Sequence, residues 1–471
     1  MATGQAKAEP TRVGPRAVLG VPHLVFFVIA TAAPVGFVVS ATPLAIGRGG
    51  VGTVSAFVVT ALVLALFAVG YVAMANRVRG AGGLSEFVTE GLGRIPGVGA
   101  AYVAVATYAC AATGAIGVFA VFADIASADV LGVRVHWALW AVAATVLMAV
   151  CGVLQVEANA RLLGVVICVE VAMLVVVVCA VLFRGGAEGL SAEPWQPGHV
   201  FNGHAGAMFA VAFSAFAGFE ATVIYAREVR DRRTIARATF LVILLLAALY
   251  SLVTWALITA YGNSGAVAAA SADPTAFFFT VTRTYVGTWA VHVFEVLVLA
   301  SWLASIIAFH NATARYLATM GANAIAPAWL TALHRRSGAP WKAGLAHTTA
   351  TLIVIAGFWL ADADPYLDLY VMTSVPAVIG VPLLELLASV AIFVYFLRRA
   401  PSRRRTVLLT TSALAAICLA TIIGLIVANI DLFTARSGAV NVVLPLIVFA
   451  VFAAGMGWAG LHRVRSALPR P

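Results

Sequence analysis

Apolar residues in this chain come in long unbroken runs, neither alternating as in a half-exposed strand nor striped as on a soluble helix. Roughly 20 such residues carry a helix across a bilayer core. Runs of that order recur at about 24–47, 53–75, 96–123, 135–156, 162–183, 200–226, 238–262, 284–314, 343–361, 366–397, 406–430 and 438–461. The expected fold is an all-α polytopic membrane protein with about 12 transmembrane helices.

The polar connections check that count through the positive-inside rule. With the N-terminus in the cytoplasm, 24 of the 29 basic residues fall on the inner side. The other five, Arg48, Arg134, Arg184, Arg283 and Arg436, are spread one to each of five outer loops. A miscount by one helix would scramble this alternation. Both termini are therefore expected in the cytoplasm, and Pro194 outside. The basic loop from Arg398 to Arg405 is expected to meet anionic lipid headgroups.

Composition agrees: 62% of residues are hydrophobic, 10% are charged, and mean hydropathy is +1.01. No soluble exterior is built from so little charge, so the lipid bilayer is the principal partner. The net charge of +10 sits at helix ends, which argues against a nucleic-acid partner. Cys110, Cys151, Cys168, Cys179 and Cys418 all lie in apolar runs and form no C-x-x-C pair, so neither a disulfide framework nor a zinc site is indicated. The first apolar run is too long for the core of a cleavable signal peptide and is expected to be a membrane helix. Arginine outnumbers lysine 27 to 2, a composition that points to a GC-rich bacterial genome and hence to a bacterial plasma membrane.

Two spans carry punctuation where a plain helix has none. The first contains Thr31-Ala32-Ala33-Pro34-Val35-Gly36, and the sixth contains Phe216-Ala217-Gly218-Phe219-Glu220. They are five spans apart and so opposite in direction. Interrupted helices at matching places in two inverted halves point to a substrate site at mid-membrane. Unwound backbone frees N–H and C=O groups that lipid cannot satisfy but a polar substrate can. The plainer alternative is a proline kink and a close-packing glycine.

The sixth-span sequence, with Ala226-Arg-Glu228 and Asp231-Arg-Arg-Thr-Ile-Ala-Arg-Ala238 after it, resembles the signature of amino acid–polyamine–organocation superfamily permeases of the bacterial amino acid permease type. His23 to Ala30 with Ala33-Pro34, Gly91-Leu-Gly-Arg94, and Phe309-His-Asn-Ala-Thr-Ala-Arg-Tyr316 are similar to further parts of those proteins. Departures fall in the loops: a proline usual after the sixth helix is replaced around Arg232, another at Ala236, and Ala322-Asn323 stands for a basic-acidic pair. The resemblance implies a leucine-transporter-like 5+5 inverted repeat plus two C-terminal helices. Its parts would be a tail at 1–22, a first repeat at 23–199, a second at 200–398, two helices at 399–461 and a tail at 462–471. It also implies secondary active transport of an amino acid or related amine by alternating access. Substrate would contact Thr31, Ala32, Ala33, Pro34, Gly36, Tyr108, Phe216, Ala217, Gly218, Phe219 and Glu220. The substrate carboxylate would meet backbone N–H groups near Ala32 to Gly36, and its amine the freed carbonyls. Tyr108 is alternatively an ordinary core tyrosine.

Four glutamates, Glu170, Glu220, Glu295 and Glu385, lie within spans, where a charge costs about 2.5–3.5 kcal/mol on insertion scales. A carboxyl whose charge depends on its exposure suits proton coupling. Glu170 aligns with the fifth-helix lysine that some relatives place where others bind sodium between helices 1, 5 and 8. Ser301 and Ser305, spaced i and i+4 on the eighth span, share a face at similar depth and complete a candidate coupling site with it. Protons are preferred to sodium as the coupling ion, with substrate exchange as the alternative. A packing role for Glu170 stays open, as does capping of the broken helix by Glu220. Glu295 and Glu385 are expected to bond between helices. His310 and Arg315 are expected near the inner surface, in gating or simple snorkelling roles.

Two motifs mislead. Gly47-Arg-Gly49-Gly-Val-Gly52 fits a dinucleotide fingerprint but lies in an outer turn between two membrane helices, without the strand that the fingerprint needs. Asn311-Ala-Thr313 fits a glycosylation site at the wrong end of its helix. No cofactor or metal motif is present in the sequence, and an enzyme acting on a lipid-linked substrate, the rival class, would need polar residues clustered at one interface.

Overall fold

The structure is a computed structural model and describes residues 20–78, 83–154, 160–220, 232–399 and 405–462. Among them every regular element is helical. Eleven helices are long and apolar enough to cross a membrane. They are α1 (Val21–Gly49), α2 (Thr53–Ala75), α4 (Arg94–Leu131), α5 (Trp137–Leu154), α6 (Ala160–Arg184), α8 (Arg232–Tyr261), α11 (Thr288–Ala322), α12 (Trp341–Leu360), α13 (Pro365–Arg398), α14 (Arg405–Ala428) and α16 (Ala439–Leu461). The sixth span of the sequence is represented by a half-length helix, α7 (Ala205–Ala215), which ends in turns at 216–220. The resemblance motifs at Ala226 to Glu228 and at Asp231 lie outside the described residues, as do most of the two tails and most of the basic loop after Arg399.

Four shorter α-helices lie in loops or at helix ends among the described residues. They are α3 (Leu84–Leu92), α9 (Asn263–Ala272), α10 (Phe277–Tyr285) and α15 (Ile430–Thr434), none of them predicted from hydropathy. All have ten residues or fewer, too short for a spanning signal. At 38 residues, α4 rises about 57 Å, more than a bilayer core, so it tilts or projects beyond it.

The packing sorts helices by their residues. Along α4 lie α11, α13, α16 and α3, while α2 packs on α8 and α14. Small residues allow close approach: a Cβ on Gly455 of α16 would stand 2.9 Å from the Cα of Gly99 on α4. Around α2 and α7 sits a buried aromatic cluster including Tyr71, Tyr250, Phe67, Phe213 and Phe219. By contrast α5, α6 and α16 turn Leu139, Val146, Val165, Phe183, Val442 and Leu446 outward, as lipid-facing helices do.

Candidate functional site

Proline at 34 has no N–H to continue the helix. The chain breaks at Ala33, which sits in the left-handed region at φ 47° and ψ 63°, then resumes at Pro34 and passes through a π-turn at Phe37–Ala41. A break frees backbone groups at both of its edges, and a buried orphan costs about 1–3 kcal/mol. Here side chains from other helices satisfy them. Glu170 on α6 accepts from the Val35 N–H and from the Ser301 hydroxyl at 3.0 Å. Ser301 in turn accepts from the Gly36 N–H at 3.2 Å. On the carbonyl side, the Ser305 hydroxyl donates to Thr31 O at 2.9 Å and the Tyr250 hydroxyl to Ala32 O at 3.1 Å.

The predicted coupling residues thus converge on one junction of α1, α6 and α11, though by different bonds: Ser301 meets Glu170, and Ser305 turns to the α1 backbone. Glu170 is 2% exposed, so its carboxyl depends on these donors for solvation.

The second break follows α7. Gly218 adopts φ 102°, open to glycine and strained for other residues, and its N–H donates to Glu220 Oε2 at 2.9 Å. Tyr108 on α4 donates to Glu220 Oε1 at 2.7 Å, and Tyr71 on α2 donates to the Glu220 carbonyl. Glu220 thus accepts from the turn that precedes it, while the half-helix it was expected to cap lies outside the described residues. The two breaks touch, since a Cβ on Gly218 would stand 2.6 Å from Thr31 Cγ2.

Beside that contact lies a cavity of about 50 Å³, large enough for a few waters. Of the predicted substrate residues, Tyr108 and Ala217 line it. Thr31, Ala32, Ala33, Pro34, Gly36, Phe216, Gly218, Phe219 and Glu220 are not among its walls. Most of the remaining walls come from residues the sequence did not single out. Phe37, Ala41 and Leu44 line it from α1, Trp302 and Phe309 from α11, Val211 and Ser214 from α7, Tyr370 and Ser374 from α13, and Phe433 from α15. Phe37 follows Gly36 and Trp302 follows Ser301, so proximity to the break and to the serine pair was the available signal.

Neither of the other two acids lines the cavity. Glu295 bonds His292 at 3.0 Å within α11 and also meets Asp129 of α4, an interhelical contact. Glu385 is buried, and its Oε2 has no hydrogen-bond partner among the described residues. His310 is buried and faces His347 with Nδ1 to Nδ1 at 2.8 Å. The sequence offered no partner for it, whereas Arg315 is exposed. Among the described residues, no group of three or more His, Cys, Asp or Glu side chains is placed to hold a metal ion.

An all-α membrane bundle with two interrupted helices meeting beside an internal cavity has the architecture of a membrane transport protein. The chain belongs to the Amino acid permease family, whose model matches residues 19–457, and its apolar helices are those of a multi-pass membrane protein. It is 30% identical over 179 residues to an uncharacterized transporter of Mycobacterium bovis and to two of Mycobacterium tuberculosis. That match takes in 37% of this chain and 39% of each relative.

Proposed function

We propose that the chain carries an amino acid across a bacterial plasma membrane by alternating access around its two broken helices, with proton movement through Glu170 driving accumulation. The observation that carries this reading is the junction at which Glu170 holds the second half of α1. A carboxylate there makes charge-assisted bonds to the Val35 N–H and the Ser301 hydroxyl, about twice as strong as neutral ones. Protonation weakens both and loosens α1 from α6 and α11, so the charge of one group is tied to the position of a half-helix.

The pairing of α2 with α8 and of α4 with α11 is what two inverted repeats at 23–199 and 200–398 would produce. Distribution of the basic residues supports cytoplasmic termini. For the substrate, the cavity walls favour a neutral amino acid with an apolar side chain: aromatic and alkyl groups surround the space, and both oxygens of Glu220 are engaged by Tyr108 and Gly218. Uptake of pooled radiolabelled amino acids and polyamines by the purified protein in proteoliposomes, with and without an imposed inward proton gradient, tests the proposal. Gradient-driven uptake of apolar amino acids is expected. Accumulation indifferent to the gradient, or selective for polyamines, would overturn it.

A further inference from the structure

The link between the last two spans reaches into the cavity. Asn429 and α15 carry the chain from α14 toward α16, and Ile430, Phe433 and Thr434 of α15 are buried. Phe433 lines the cavity together with Phe37, Leu44 and Val211. A five-residue helix has too little internal hydrogen bonding to hold itself in place. It is held by fastenings to other helices.

Three of them matter. Arg48, at the end of the second half of α1, donates through Nη1 to Leu432 O at 3.2 Å and also to Phe433 O. Asn429 accepts at Oδ1 from the Gly206 N–H at 3.0 Å, satisfying an orphan donor in the first turn of α7. Beyond α15, Arg436 pairs with Asp368 at the start of α13. The link is therefore tied to the α1 half-helix that follows one break and to the α7 half-helix that precedes the other. Phe433 stands at the Arg48 tie and lines the cavity.

We propose that Phe433 is the lid and a specificity-determining wall of the cavity on the Arg48 face, and that Arg48 is the latch that holds it shut. Helices α14 and α16, outside the expected repeats, then take part in transport. Movement of either outer half-helix pulls on the link through Arg48 or Asn429, so opening of that face and withdrawal of Phe433 occur together. A smaller side chain at 433 deepens the cavity toward that face. The specificity role rests on the cavity being the substrate path, and the lid role does not.

The test uses the full chain with its five cysteines replaced by serine and a single Ser214→Cys label in the cavity wall. It is reconstituted and exposed to a membrane-impermeant thiol reagent from each face in turn. Phe433→Ala and Arg48→Met, which keeps the side-chain stem but removes the donors, should each raise labelling from the Arg48 face about tenfold or more. For Arg48→Met that is the shift in an opening equilibrium given by losing a hydrogen bond to a charged group; Phe433→Ala keeps those backbone bonds and instead loses the packing of a buried ring. Labelling from the opposite face should not rise. Phe433→Leu, which keeps much of the bulk, should fall between and serves if Phe433→Ala fails to fold. Unchanged labelling from the Arg48 face in Arg48→Met and in the folded Phe433 variant would overturn the lid. Labelling that rises equally from both faces would overturn it too, as general loosening. If any amino acid is transported, Phe433→Ala should lower KM for larger apolar side chains relative to smaller ones, with kcat less affected. An unchanged preference removes the specificity role, and an absence of all uptake bears on the transport reading, leaving the labelling result to stand.

Discussion

Gly218→Ala adds one methyl group where the two broken helices meet. The new Cβ would lie 2.6 Å from Thr31 Cγ2 and 2.9 Å from Thr31 Cβ, on backbone with φ 102°. A residue with a Cβ pays about 1–2 kcal/mol in left-handed backbone, and overpacking adds about 1–3 kcal/mol. The sum, about 2–5 kcal/mol, is comparable with a sizeable share of the roughly 5–15 kcal/mol that holds a typical domain folded. Gly218→Ala should therefore insert and fold, melt several degrees lower in detergent, and lose most of its uptake. Gly218→Leu, with a bulkier side chain at the same contact, should be worse on both counts. A double-mutant cycle with Thr31→Ala separates the two costs. Removing Thr31 Cγ2 relieves the closer contact but leaves Cβ and the backbone strain, so the double variant should be more stable than the sum of the singles by about 0.5–3 kcal/mol. Strict additivity would mean that the breaks do not touch as described. Wild-type stability in Gly218→Ala would refute the strain as well.

Glu170→Gln should bind and exchange substrate but lose accumulation driven by a proton gradient; if driven accumulation persists in reconstituted vesicles, Glu170 only packs helices. Tyr108→Phe leaves Glu220 Oε1 without the donor it has now and should cost about 1–3 kcal/mol of stability, read as a lower melting temperature. An unshifted melt would mean that another group replaces the hydroxyl. For topology, Gln196→Cys is a better reporter than Pro194, which is buried, and it should label from outside with an impermeant reagent. Labelling from the cytoplasmic face alone would reverse the orientation.

The sequence made some of this legible and hid the rest for identifiable reasons. Membrane helices announce themselves by length and apolarity, and both breaks were visible because proline, glycine and an intramembrane acid are costly in a lipid-facing helix. Glu170 and Ser301 were paired correctly because helical rise fixes depth along two straight spans. The bonds of Val35 and Gly36 were invisible, since every residue but proline has the same N–H. Their occupation by Glu170 and Ser301 changes the picture of a substrate carboxylate meeting free donors between Ala32 and Gly36. His347 gave no sign of pairing with His310, because only the crossing of α11 and α12 brings them together. Phe433 was hidden more deeply, at the edge of the eleventh span as hydropathy draws it, in a link short enough to pass for a plain outer loop.

The self-satisfaction of the breaks has a consequence for recognition. Backbone donors of Val35 and Gly36 and acceptors of Thr31, Ala32 and Glu220 are all engaged by protein side chains. Left as five buried orphans, they would cost about 5–15 kcal/mol together. A substrate that replaced one of these partners would have to match its geometry and would leave the displaced hydroxyl or carboxylate unpaired. Direct competition is therefore costly at the N–H groups, where the displaced acceptor includes an acid buried between helices. It is cheapest at the hydroxyl donors, which can rotate. The cavity wall offers a hydroxyl of that kind at Tyr108, which reaches Glu220 and borders the cavity at once. A ligand acceptor drawing the Tyr108 hydroxyl away would release one oxygen of Glu220, and with it part of the hold on the second break. Under the proposed mechanism, contact with substrate at this one tyrosine would be linked to the second broken helix.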